Sequence, residues 1–377
     1  MDPTVLAWAL AQPAGTRGAV LAAAVTGGTT RVTFDGRTVE YRSLDELGRA
    51  LSVLHAAENI AARRPSVTFG RTCKHSSAQF SVIQIVARGS SLAMKPAAFA
   101  YYSPGTLADA VALLGEHGED ARVLAGGQSL VPAMAFRMAR PAVLVDINRI
   151  PALAHASAEG SVLRIGALAR HAWFERPVVE GPLGTFLAHV AQHIAHAPIR
   201  MRGTLCGSLA HADPASEWCA VTLALGGTMV LAGPGGTWRE VAADDWFQGV
   251  FTTALRPGEV LAEVRLPLPG PGDRHGFAEF SRRAGDFALA MAVASLQLDG
   301  MVVRSARIAL GAIAGTPVLA RGAARALTGQ RLTEAAIRDA AAVAANDCDP
   351  QDDIHAPAAY RRDLVRAMVR RALAQAA

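Results

Sequence analysis

Apolar spacing divides the chain into short elements. Residues 30–41 alternate apolar and polar positions about Asp35-Gly36. An Asp-Gly pair favours positive φ at both turn positions, so a hairpin is predicted, with Val32 opposite Val39 and Arg31 opposite Glu40. Residues 5–25 have an alanine-rich helical pattern, interrupted by Pro13 and Gly15. Ser43 and Glu46 form a capping box for a helix over 43–62, with Leu44, Leu47, Leu51 and Leu54 on one stripe. Residues 1–66 thus read as a small α+β appendage. Residues 67–93 read as a linker around one apolar patch at 80–86.

From residue 94 the pattern mixes strands and helices. Thr106 and Asp109 cap a helix over 107–116. A short strand over 123–125 breaks into Gly126-Gly127-Gln128-Ser129. A helical piece follows over 134–138, and buried strands over 141–147 and 161–166. A helix over 185–196 carries Phe186, Leu187, Val190 and Ile194 on one side. Strands over 223–231 and 237–241 pair around a glycine turn at 233–236. No helix follows that turn, so it is not a phosphate loop. A strand over 259–267 runs into a Pro/Gly-rich boundary at 267–272. Strands over 277–283, 290–298 and 303–313 follow, then helices from Val318, Thr333 and Tyr360. The closing helix carries Arg361, Arg362, Arg366, Arg370 and Arg371 and reads as a solvated or partner-facing surface.

The chain has 377 residues, enough for two or three domains, and only 18% are charged. Its net charge of +5 comes from scattered arginines, without a basic stripe interleaved with aromatics, so nucleic acid is a poor partner. Cys73, Cys206, Cys219 and Cys348 are widely spaced and include no Cys-x-x-Cys, so neither a disulfide framework nor a four-cysteine cluster motif is present. The sequence shows no leader pattern and no bilayer-length apolar run, and a reducing, cytoplasmic setting is expected. Met94-Lys-Pro-Ala-Ala-Phe99 reads as the opening of a polypeptide, so residues 1–93 are expected to be a fusion or an upstream start.

Two small-residue stretches carry the candidate chemistry. Gly126 and Gly127 lack a Cβ, which allows positive φ and close approach of a large ligand. Gln128 and Ser129 add side-chain donors beside backbone N–H groups, an arrangement suited to a diphosphate. Gly203, Thr204, Gly207 and Ser208 repeat the theme. His189, His193 and His196 stand at i, i+4 and i+7, a spacing open to metal or to a polar face at a cofactor or subunit contact. Residues 346–353 lack the glycine and terminal glutamate of a calcium loop.

Residues 1–66 resemble the small phage head–tail joining protein W in their helix, Asp-Gly hairpin, second helix and basic Ala-Arg-Arg-Pro end. That resemblance implies a virion structural role for this segment alone. Residues 94–377 are similar to the FAD-binding medium subunit of the molybdenum hydroxylases, the xanthine dehydrogenase and carbon-monoxide dehydrogenase family. The carriers are Lys95-Pro with Tyr101, Ala-Gly-Gly-Gln-Ser at 125–129, Ala139-Arg-Pro with Val-Asp-Ile, Ile-Arg-Met-Arg-Gly-Thr-Leu-Cys-Gly-Ser-Leu-Ala-His-Ala-Asp-Pro at 199–214, Arg-Arg-Ala-Gly-Asp-Phe-Ala at 282–288, and Asp353-Ile-His with Tyr360-Arg-Arg.

The resemblance implies an α+β chain. A two-part FAD domain of the vanillyl-alcohol-oxidase and para-cresol-methylhydroxylase type would occupy 94–267, in parts of about 94–150 and 151–267. A C-terminal α+β domain would occupy 275–377. It further implies that Ala125, Gly126, Gly127, Gln128 and Ser129, with Leu130 completing the loop, hold the diphosphate. Thr204, Leu205, Cys206, Gly207 and Ser208 would form the facing loop. Glu217 would lie on the cofactor, Leu261 near the adenine, Ile194 over part of the flavin, and Asp286 and Phe287 at the isoalloxazine ring. Cys206 stands where the family carries glycine, and positive φ there would cost about 1 kcal/mol. The implied partners are a large molybdenum-cofactor subunit and a small [2Fe-2S] subunit. Electrons would pass from the partner's clusters through FAD to an external acceptor. A stand-alone FAD oxidase is the alternative within this fold, disfavoured because no nucleophile–base pair is evident.

Overall fold

The computed structural model describes residues 3–12, 16–29, 31–34, 37–40, 51–52, 83–85 and 95–377. The chain divides into two units, Met1–Thr68 and Phe69–Ala377.

In the first unit the interrupted alanine-rich pattern becomes two helices, α1 (Pro3–Leu10) and α2 (Arg17–Thr26). Thr16 caps α2 by accepting from the Ala19 N–H at 3.3 Å. Strands β1 (Arg31–Phe34) and β2 (Arg37–Glu40) pair antiparallel, with Val32 against Val39 and Arg31 against Glu40 as the alternation requires. Val5, Ala9, Leu21, Ala22, Ala24, Val32 and Leu51 form a small core. The Asp35-Gly36 turn, the Ser43–Glu46 box and the rest of the 43–62 helix, apart from residues 51–52, lie outside the described residues. So does the 67–93 linker, apart from Ile83–Ile85.

The second unit opens with a four-stranded sheet ordered β3-β4-β6-β5, built from β3 (Ile83–Ile85), β4 (Phe99–Tyr102), β5 (Ala121–Leu124) and β6 (Val143–Asp146). β4 and β5 both run parallel to β6, so a helical crossover is needed. That crossover is α3 (Leu107–His117), capped by Thr106 and burying Ala110, Val111, Leu113 and Leu114. A one-turn helix, α4 (Leu130–Ala135), follows β5 and lies earlier than the expected 134–138.

A second, five-stranded antiparallel sheet has the order β10-β9-β13-β8-β7. Its strands are β7 (Ala156–Glu159), β8 (Val162–Gly166), β9 (Thr228–Gly233), β10 (Thr237–Ala242) and β13 (Val260–Pro267). Between β8 and β9 run α5 (Pro182–Ala191), α6 (Ala197–Arg200), α7 (Leu205–His211) and α8 (Glu217–Leu225). A short α9 (Ala243–Trp246) and a hairpin of β11 (Phe247–Gly249) and β12 (Thr252–Thr253) complete this part.

Two expectations change here. Residues 223–225 are the end of α8, not the start of a strand. Every residue of α8 is buried, so it has no polar face to print a 3.6-residue period. Gly226, at φ +66°, ends the helix, and the strand begins at Thr228. The helix expected over 185–196 starts at Pro182, where the missing N–H costs nothing, and stops at Ala191, short of Ile194.

The last part is a sheet ordered β14-β15-β16-β17, from β14 (Asp273–Phe280), β15 (Ala290–Asp299), β16 (Val302–Gly311) and β17 (Val318–Leu319). Helices α10 (Arg321–Leu327), α11 (Glu334–Ala344) and α12 (Ala358–Gln375) follow, so Val318 lies in a strand and the first helix starts at Arg321. Strand alternation divides the sheet between two cores. Phe277, Met291, Val293 and Ala309 join the core of the preceding part, while Ala278, Ala292, Ala294, Ile308 and Leu310 pack with the closing helices. Arg307 of β16 reinforces the first contact by donating to the Leu223 and Ala224 carbonyls at the end of α8 (2.8 and 3.2 Å). Arg361 departs from the expected solvated helix face. It is buried and donates to the Leu289 and Ala312 carbonyls and to Asp353. Among the described residues no helix is long and apolar enough to cross a membrane.

Candidate functional site

β5 ends at Leu124, and the chain turns through residues 125–129 before α4 begins. A Cβ on Gly126 would overlap the Arg202 carbonyl and come within 2.7 Å of the Gly203 Cα. Gly126 therefore makes room for the second loop, a contact the sequence did not reveal. Gly127 at φ +72° turns the chain so that the two loops lie backbone to backbone. Among the described residues nothing accepts from the N–H groups of Gly126, Gly127, Gln128, Ser129 or Leu130. The Gln128 side chain folds back and donates to the Gly126 carbonyl at 3.0 Å.

A relay of polar side chains fixes this pairing. Tyr101 donates to Asp146 Oδ2 at 2.5 Å, and Asp146 Oδ1 accepts from the Asn148 backbone N–H at 2.9 Å. Asn148 Nδ2 donates to the Ala125 carbonyl at 2.8 Å, and Asn148 Oδ1 accepts from Arg170 at 2.5 Å. Arg170 in turn donates to the Arg202 carbonyl. Both loops thus hang from one asparagine. Burial and the bond to Asp146 raise the Tyr101 phenol above its ordinary value. Tyr101 and Asp146 belong to motifs visible in the sequence, whereas Asn148 and Arg170 were not foreseen. The available signal was an Asp-x-Asn just after a buried strand, where side chains commonly bond nearby backbone.

On the second loop, Thr204 caps α7 by accepting from the Gly207 N–H at 3.0 Å. Cys206 lies inside α7 and is absent from the residues with positive φ, so glycine is not required there. Its thiol is buried, donates to the Ile165 carbonyl at 3.5 Å, and is pushed well above its ordinary value by burial. Beside it His171 is 4% exposed and accepts from the Trp218 indole at 2.9 Å. Burial, then the charges of Arg170 and Arg200, lowers this imidazole to about 4, so it stays neutral.

The two loops border a cavity of about 760 Å³. Of the residues expected at the cofactor, Ala125, Gly126, Gly127, Gln128, Ser129, Leu130, Thr204, Cys206, Gly207, Ser208 and Leu261 line it. His211, part of the 199–214 motif, lines it as well, as do His171 and Phe251, which the sequence pattern did not single out. Phe251, at φ +53°, stacks on His211 with ring centroids 4.9 Å apart. Leu205 is wholly buried beneath the loop, and Ile194 and Glu217 are buried outside this lining. Asp286 and Phe287 line a second cavity of about 630 Å³, with Asp213, Arg282, Asp353 and Arg361. The first cavity suits a dinucleotide. Its unpaired backbone donors are of the kind a diphosphate needs, and apolar Val123, Ile147 and Leu261 in its lining are of the kind that flanks a flat base.

Fold and site together define a flavoprotein chain with a two-part dinucleotide domain. Residues 97–269 match the family described as the FAD binding domain in molybdopterin dehydrogenase, and residues 275–376 match the CO dehydrogenase flavoprotein C-terminal domain. The chain is 38% identical to the carbon monoxide dehydrogenase medium chain of Hydrogenophaga pseudoflava, over 74% of this chain and 97% of that one. It is 37% identical to the nicotine 6-hydroxylase medium subunit of Paenarthrobacter nicotinovorans, over 75% and 99%. The solved carbon monoxide dehydrogenase of H. pseudoflava lacking the Mo-pyranopterin moiety superposes with a TM-score of 0.72 at 39% identity, covering 74% of this chain and 98% of that chain. Quinoline 2-oxidoreductase of Pseudomonas putida 86 gives a TM-score of 0.69 at 37% identity, over 75% and 98%. The chain belongs to the FAD-binding medium subunits of the molybdenum hydroxylases, and is an oxidoreductase chain whose cofactor is FAD.

Proposed function

We propose that this chain is the electron-transfer subunit of a molybdenum-containing hydroxylase, assembled with a large molybdenum-cofactor subunit and a small [2Fe-2S] subunit. The observation that carries the reading is the row of unpaired N–H groups at residues 126–130, held open over the first cavity by the contact of Gly126 with the second loop. Those donors would take the diphosphate. Thr204 orders the facing loop by capping α7, and Leu261 packs at the adenine end. FAD, when bound, supplies the redox chemistry between a one-electron cluster and an external acceptor. Phe287, 68% exposed and lining the second cavity, would gate access to the ring.

The test begins with the purified full-length chain, titrated with FAD and read by absorption and fluorescence. Near-stoichiometric binding, with release of the flavin on denaturation, is expected. No binding by folded protein in excess FAD would overturn the reading. Co-expression with candidate molybdenum and [2Fe-2S] subunits should then give a complex in which substrate bleaches the bound flavin. A complex whose clusters are reduced while its flavin stays oxidised would reject the electron path.

A further inference from the structure

The hairpin of β11 and β12 closes between Gly249 and Thr252 and turns through Val250 and Phe251. Phe251, the second of the two turn residues, has φ +53°. Positive φ at that position normally selects glycine or asparagine. A bulky side chain there is an outlier that persists only where its surroundings hold it. Contacts on both sides do so. Val250 packs on the backbone of residue 315, where a Cβ on Gly315 would come within 3.1 Å of Val250 Cγ2. The Phe251 ring lies on the His211 imidazole, with centroids 4.9 Å apart and planes inclined by 31°.

His211 is placed by a matching feature. It ends α7, and Ala212 after it takes φ +52°, a left-handed cap whose N–H donates to the Ser208 carbonyl. Burial holds the His211 imidazole below its ordinary value, although Asp213 acts the other way, so the ring is neutral at neutral pH. His211 and Phe251 both line the first cavity, together with Gly207 and Ser208 of the second loop. Phe251 is nevertheless 56% exposed and joins none of the hydrophobic clusters among the described residues. Packing therefore does not account for an aromatic ring here. Its backbone is strained, more than half of its surface is uncovered, and it borders a cavity.

We propose that Phe251, backed by His211, is a stacking platform for one flat ring of the bound dinucleotide, either the isoalloxazine or the adenine. The proposal rests on the FAD reading of this cavity and adds Phe251 and His211 to it. An aromatic face accepts any flat heteroaromatic ring, and truncating such a platform costs about tenfold in affinity. The neutral imidazole behind Phe251 adds polarisable surface without a charge that water must solvate. The strained turn has a purpose on this reading, since it fixes the ring at the cavity before the ligand arrives.

The full-length chain, stripped of flavin, is titrated with FAD, ADP and FMN by calorimetry, and its melting temperature is taken without ligand. Phe251→Gly suits the positive φ and removes little buried surface. Its melting temperature should hold or rise while its FAD affinity falls about tenfold. Phe251→Tyr keeps the aromatic face and should bind FAD within about twofold of the unmodified chain. Of the two half-ligands only one should lose affinity in Phe251→Gly: ADP if the platform takes the adenine, FMN if it takes the isoalloxazine. Unchanged FAD affinity in Phe251→Gly overturns the proposal. So does a melting temperature that falls along with affinity, which would make the ring a prop of the hairpin. An equal loss in Phe251→Tyr, or a loss spread over both half-ligands or shown by neither, overturns it too. Failure of the unmodified chain to bind FAD overturns the FAD reading instead, with the half-ligands still deciding the platform.

Discussion

Around the first cavity the working surface is backbone: five unpaired N–H groups on a loop braced by glycine and by Asn148. Around the second, the lining is side-chain charge, with Asp213, Arg282, Asp286, Asp353 and Arg361 gathered near the exposed Phe287. Backbone donors do not titrate, so a diphosphate held by them is insensitive to pH. Charged side chains instead set a local field around the exposed ring of Phe287. The same chain thus lines one cavity with backbone donors and the other with charged side chains.

The largest expected effect breaks the grip. Gly126→Ala drives a methyl into the Arg202 carbonyl and separates the loops. Strain of about 3 kcal/mol should weaken FAD binding ~100-fold, measured by fluorescence titration. Unchanged affinity would show that the loops do not need this contact.

His171 gives the next effect, in the stability of the loop support. Its folded value of about 4 lies below its ordinary value of 6.5. Above the ordinary value both states are neutral and there is no penalty. As pH falls from about 6.5 towards 4 the unfolded chain binds a proton that the folded chain refuses, and stability drops by about 3 kcal/mol. Denaturant melts across this range should show that loss. His171→Asn, which keeps an acceptor for Trp218, should flatten it; an equally steep loss in the variant would place the acid sensitivity elsewhere.

Asn148→Ala should cost about 1–2 kcal/mol, because Arg170 and the Ala125 carbonyl lose a shared partner. FAD affinity should fall ~10-fold. A drop in melting temperature with affinity intact would mean the relay supports the fold alone.

The smallest effect separates sequence pattern from geometry. Cys206→Gly restores the residue typical of the family, yet should leave FAD affinity within about twofold. The thiol points at Ile165, and the backbone is helical. A glycine in that helix should instead lower stability by about 1 kcal/mol. A tenfold gain in affinity would show that the cysteine does obstruct the loop.

Much of the fold and of the first cavity is legible in the order of residues. The hairpin register at Val32 and Val39 follows from alternation about an Asp-Gly turn. The Thr106 cap and the strand-to-glycine break after Leu124 are equally plain. Helix α8 is not, because a helix buried on every side has no exposed polar face to mark its period. The purpose of Gly126 is hidden for a related reason. A sequence shows that a Cβ is missing, but not which neighbour occupies the space.

Local pattern and motif chemistry therefore determined the family, the cofactor and the loops that border the first cavity, since these depend on residues adjacent in the chain. Tertiary structure alone decided that Asn148 and Arg170 couple the loops across more than twenty residues of chain. It also turned the Cys206 thiol inward and set Glu279 and His193 face to face from a strand and a turn far apart in sequence. Those outcomes depend on which side chains share a buried volume, and only the packed chain fixes that.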